Sequence, residues 1–128
     1  MAKVWIVFGA LSGFLSVAFG AFGAHGLSTR LDARMLEVFR TGAQYQMYHA
    51  LALIGLGLWA VQNPGASSTV PGWCFAAGSL IFSGSLYALA ISGVKWLGVI
   101  TPIGGLLFMI GWLAFAVSAY NAAIAGHS

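Results

Sequence analysis

"VWIVFGALSGFLSVAFGAFGAHGLST" (residues 4–29) contains no Asp, Glu, Lys or Arg. An uncharged apolar stretch longer than about 18 residues reads as a membrane span. Within it Gly9, Gly13, Ser16, Gly20 and Gly23 recur at intervals of 4, 3, 4 and 3, which puts them on one helical face. Lipid tails supply little hydrophobic drive between helices, so small residues matter by letting backbones approach closely. That stripe is expected to face another helix; the plainer reading is a scatter of tolerated glycines.

The rest of the chain has the same character. Of 128 residues, 60% are hydrophobic and 5% charged, and the mean hydropathy is +0.93. Soluble domains carry about 25% charged residues, so this composition cannot build a water-exposed surface. Residues 41–94 and 96–128 also lack Asp, Glu, Lys and Arg. The expected class is an all-α integral membrane protein. A formal charge of +3 rests on few residues and speaks for orientation and lipid headgroup contact, not nucleic-acid binding. Cys74 is the only cysteine, which excludes an intramolecular disulfide and a thiolate metal site. Neither Asn63 nor Asn121 starts a glycosylation sequon.

Four spans are expected, at about 4–26, 43–62, 73–93 and 102–121, in a single transmembrane domain. Lys3, the apolar run and the small residues at Ala21 to Ala24 imitate a signal peptide. The run reaches about residue 27, longer than the roughly 7–15 residues of an h-region, so the first span is read as retained. Residues 28–42, "STRLDARMLEVFRTG", differ: Leu31, Met35, Val38 and Phe39 share one helical face, and Arg30, Arg34 and Glu37 the other. A short amphipathic helix over about 30–41, lying in the membrane interface, is expected here, with Thr29 as N-cap and Asp32 as its capping-box partner. "NPGASSTVPG" (63–72) is a turn-rich loop. Thr101-Pro102 reads as an N-cap followed by proline at the first helical position, the alternative being a span from about Leu97 with a proline kink.

Arg30, Arg34, Arg40 and Lys95 fall in the first and third loops, and only Lys3 opposes them. The positive-inside rule then puts both chain ends outside the cytoplasm. Trp5, Trp59, Trp73 and Tyr120 mark one interface, and Tyr45, Tyr48 and Trp96 the other. "GLGLWA" (55–60) matches a dinucleotide-binding fingerprint in letters only, because it lies inside an apolar helix with no strand before it.

The chemistry-bearing candidates are His25, Gln46, His49, Ser85, Tyr87 and Thr101, which a four-span topology carries to one depth near the cytoplasmic ends. A polar side chain in lipid needs a partner inside the protein. The expected layer therefore serves register between helices, with a neutral His25 bonded across to Gln46, His49, Tyr87 or Thr101. Functional alternatives are a metal or haem site, a proton or small-solute path, and a pocket for a lipid or quinone headgroup. The two acids, Asp32 and Glu37, sit on the amphipathic segment, so no carboxylate accompanies the histidines as a metal ligand, and no catalytic constellation is present. No cofactor is expected.

"FGAFGAHGL" (19–27), "YQMYHALAL" (45–53), "FSGSLYALA" (82–90) and "TPIGGLLFMIGW" (101–112) closely resemble the domain-of-unknown-function 423 family, a YgdD-like group of small membrane proteins related to transmembrane protein 256. The resemblance covers essentially the whole chain. It implies a four-span protein of the bacterial inner membrane and assigns no activity, so His25 and His49 acquire no role from it. The expected function is a non-enzymatic scaffold or accessory subunit in contact with membrane lipids, self-associating or bound to another membrane protein. The alternative is a small-solute or proton transporter or channel.

Overall fold

The computed structural model describes residues 1–126, and His127 and Ser128 lie outside it. Its four helices are α1 (Ala2–His25), α2 (Ala33–Gln62), α3 (Thr69–Ser92) and α4 (Leu97–Gly126). No strand occurs among the described residues. Short connections make successive helices antiparallel, and each packs chiefly on its neighbours in the chain: α1 on α2, α2 on α3, α3 on α4. Three of them, α1, α3 and α4, are long and apolar enough to cross a membrane.

α2 differs from expectation. No separate interfacial helix forms; residues 33–41 are the opening turns of one continuous 30-residue helix, about 45 Å long at 1.5 Å per residue. The cap is Asp32, whose carboxylate accepts from Met35 N at 2.8 Å, and Thr29 lies in the preceding turn. The helix continues past "TGA" (41–43) because nothing there stops it. Thr41 donates its hydroxyl to Glu37 O at 2.9 Å, within the helical turn. Gly42 is closely covered by Tyr87 and Leu86 of α3, where an added Cβ would stand 2.9 Å from the Tyr87 ring. The apolar face of residues 31–39 does not lie flat on lipid. It packs on the protein, with Phe39, Leu27 and Ala90 buried and Leu31, Leu36 and Val38 against them.

α4 begins at Leu97, so Thr101 is not its N-cap and Pro102 lies inside it. Turn bonds from Leu97, Gly98 and Val99 N–H to the carbonyls of Val94, Lys95 and Trp96 lead into the helix. Proline this close to the start removes one backbone bond. α3 stops at Gly93, which takes φ +73 and donates to Leu89 O at 2.8 Å, a left-handed cap that glycine adopts without a Cβ penalty.

The main apolar core lies at the opposite end from these caps, where Trp5, Leu53, Leu56, Phe75 and Ala76 meet. Trp5 is 1% exposed, covered by the protein itself. Its ring lies directly over Gly72 of α3 and edge-on to Trp73, centroids 5.5 Å apart.

Candidate functional site

The glycine stripe of α1 lies along α2. A Cβ on Gly9 would stand 2.7 Å from Ala50 O; Gly13 faces Ala50 and Met47, Gly20 faces Ala43, and Gly23 is covered by the Phe39 ring. Ser16 Oγ donates to Ala43 O at 2.6 Å. This close approach lets a polar side chain of α2 reach the backbone of α1. Gln46, 7% exposed, donates its amide to Ser12 O at 3.0 Å and reaches Ser12 Oγ at 3.3 Å. From the other side Tyr87 OH of α3 donates to Gln46 Oε1 at 2.6 Å. Since Ser12 O can only accept, the amide orientation is settled by its partners. One side chain thus links three helices. Ser83 Oγ adds a bond to Gly42 O at 2.7 Å.

His49 forms a second group. Its Nδ1 lies 2.9 Å from Tyr45 O, and Trp112 Nε1 of α4 donates to its Nε2 at 3.0 Å. A carbonyl only accepts and an indole N–H only donates, so the proton is on Nδ1 and the ring is neutral. Phe108 stacks on it with centroids 3.5 Å apart and planes 7° from parallel. A third group joins α3 to α4, where Ser85 Oγ and Thr101 Oγ1 are 2.5 Å apart. Each hydroxyl also has a carbonyl acceptor on its own helix, Phe82 O at 2.9 Å for Ser85 and Leu97 O at 3.5 Å for Thr101, so either can donate to the other.

The six candidates therefore do not form one layer. Gln46 pairs with Tyr87, Ser85 with Thr101, and His49 with Trp112. His25 is exposed and has no side-chain hydrogen bond among the described residues, which corrects the expectation of an inward, bonded ring. The cause is the true start of α2. Gly23 lies level with Phe39 and Gly13 with Ala50, so His49 stands well over two helical turns from the level of His25. Ser12, Ser83, Phe108 and Trp112 were missed by the sequence reading. Ser12 carried a signal, since it lies four residues before Ser16 on the stripe; Trp112 carried none. No group of three or more His, Cys, Asp or Glu side chains that could hold a metal ion occurs among the described residues.

A cleft of about 250 Å³ opens between α1 and α3 with Gln46, Ser79 and Tyr87 in its lining. Ser79 is 6% exposed, and its hydroxyl has no hydrogen-bond partner among the described residues.

Long apolar helices joined through buried, mutually bonded polar side chains define a helical membrane protein. The profile for "Protein of unknown function (DUF423)" matches residues 19–105. The chain is 47% identical over 103 residues to the UPF0382 membrane protein YwdK of Bacillus subtilis, covering 80% of this chain and 84% of that protein. It is 45% identical over 105 residues to a UPF0382 membrane protein of Haemophilus influenzae, covering 81% and 83%. It is 38% identical over 109 residues to the UPF0382 inner membrane protein YgdD of Escherichia coli, covering 80% and 79%. No solved structure matches. The chain belongs to the DUF423 family of membrane proteins.

Proposed function

We propose that this chain is a four-span protein of the bacterial inner membrane that acts without catalysis, as a scaffold or accessory subunit for a second copy or another membrane protein. The observation that carries this reading is Gln46: both ends of its amide are engaged, to Ser12 of α1 and Tyr87 of α3. Polar groups so paired hold helix register. The His49 contacts argue the same way, because both ring nitrogens are bonded within the protein and a proton relay must exchange them. α2 serves as the fourth span over about 43–62, with Arg34, Glu37 and Arg40 standing beyond the hydrocarbon. Arg30, Arg34 and Arg40 lie at the same end of the molecule as Lys95, all exposed, which supports a cytoplasmic location for that end and an external one for both termini. The broad apolar outer faces of α1 and α4 are the surfaces for lipid and for self-association.

Two measurements test this. Protein reconstituted in liposomes is expected to show no proton flux that His49→Gln abolishes; flux lost with that change would establish the conduit instead. In intact cells, a cysteine replacing Ser67 reacts with an impermeant thiol reagent and one replacing Thr29 does not. The reverse pattern overturns the orientation.

A further inference from the structure

Ser79 is anomalous among the serines of α3. Ser83 donates to Gly42 O, Ser85 to Phe82 O and Ser92 to Ala88 O, the backbone bonds by which hydroxyls are satisfied inside membranes. Ser79 is buried, as Ser83 and Ser85 are, yet its Oγ meets no partner among the described residues. A buried hydroxyl without a hydrogen bond carries a desolvation cost that nothing offsets. It lines the cleft between α1 and α3, walled by the aromatic rings of Phe8, Phe19 and Tyr87.

The chemistry of the lining restricts what enters. Tyr87, Gln46 and Ser83 already direct their donors at Gln46, Ser12 and Gly42 O. That leaves as donors for a ligand the Ser12 hydroxyl, which accepts from Gln46, and the Ser79 hydroxyl, which has no partner at all among the described residues. No charged residue lines the cleft, so a carboxylate or phosphate there would be an unpaired buried charge. Depth restricts it further. Ser79 lies ten residues from the start of α3, as Ser12 does from the start of α1, about 15 Å along each helix. That is the middle of a hydrocarbon layer about 30 Å thick, where the ester carbonyls of a glycerolipid do not reach. A volume of about 250 Å³ lies below the roughly 300–1,000 Å³ of sites that enclose whole drug-sized ligands. It suits one flat ring, with the remainder of the molecule leaving past Leu11 and Leu80, which are 61% and 69% exposed.

We infer that the α1–α3 cleft is a midplane site for an uncharged quinone, its ring between Phe8, Phe19 and Tyr87, one carbonyl accepting from Ser79, and its isoprenoid tail in the bilayer. The inference concerns binding alone and goes beyond the scaffold reading, which loses nothing if the site is filled by something else.

The test is saturable binding of a radiolabelled benzoquinone bearing one isoprenyl unit to the full purified chain in detergent. Gly84 lines the cleft and an added Cβ there meets nothing within 4 Å, so Gly84→Leu is expected to narrow the cleft from a position where the backbone accepts a side chain. Gly55, equally open but outside the cleft, supplies the control Gly55→Leu. One-site binding is expected, weakened about fivefold to tenfold by Ser79→Ala, lost in Gly84→Leu and unchanged in Gly55→Leu. Non-saturable uptake overturns the proposal, as does affinity unchanged in both Ser79→Ala and Gly84→Leu. Displacement by phosphatidylglycerol as effective as by unlabelled quinone overturns it in favour of ordinary lipid.

Discussion

α2 and α4 are both 30-residue helices, yet they stand in opposite relations to their surroundings. α2 carries Gln44, Gln46 and His49 as well as Arg34, Glu37 and Arg40, and buries a continuous face from Phe39 to Ala60. α4 has no charged residue and buries only Gly104, Phe108 and Gly111. The helix most central to the fold is the one that is not apolar enough to be recognised as a span. In a membrane, apolarity reports what faces lipid, and polar groups collect where other parts of the chain can bond them. Their net contribution is small, averaging about 0.6 kcal/mol per interhelical bond, so close backbone packing has to supply most of the stability.

That contrast can be broken first at its glycines. Gly57→Leu on α2 would place a side chain against the α1 backbone, with Cβ 2.7 Å from Ala2 O. Backbone cannot give way as a flexible side chain does, and a loss of about 3 kcal/mol is expected, measured by unfolding in mixed detergent micelles. Gly104→Leu on α4 makes a similar collision with the Phe82 backbone, but at the edge of the fold. Amide exchange should then rise in α4 while α1 to α3 stay protected. Equal exchange throughout would show that α4 is as central as α2.

Smaller effects sharpen the role of the polar pairs. Gln46→Leu removes the link between Ser12 and Tyr87 and leaves the tyrosine hydroxyl without its acceptor, a loss of about 1–2 kcal/mol in the same unfolding measurement. Trp112→Phe, which removes the indole bond to His49 while keeping an aromatic ring, is expected to lower stability by about 0.6 kcal/mol. A loss as large as that of Gln46→Leu would make the α2–α4 bond equal in rank to the three-helix link. Last in order, Gly55→Leu meets open space on the outer side of α2 and should change stability by less than about 0.5 kcal/mol.

Much of this was legible in residues 4–29. The absence of charge implied a span, and the spacing of Gly9, Gly13, Ser16, Gly20 and Gly23 implied a face that another helix approaches. Of the amphipathic pattern of residues 30–41, residues 33–41 are helical as expected, but they open α2 and are not a separate helix, because periodicity reports a face and not what covers it. Phe39 proved to be covered by the protein itself. The same error displaced His49, since a helix assumed to begin near residue 43 puts that histidine near its end. Ser85–Thr101 and Gln46–Tyr87 were among the right candidates, although nothing local said which would pair.

The sequence by itself determined the class of this protein. Stretches without charge must satisfy their backbone hydrogen bonds internally, and helices do so from local information alone. Only the tertiary structure decided which polar groups meet. Partners such as His49 and Trp112 lie 63 residues apart, and their encounter depends on the axial register and rotation of whole helices. Close contacts set those quantities: Gly9 and Gly57 between α1 and α2, Gly42 against α3, Gly104 and Gly111 between α3 and α4. A period such as that of the α1 stripe shows that a face is approached, but which residue each glycine meets is a steric fit between distant segments and leaves no period in the chain.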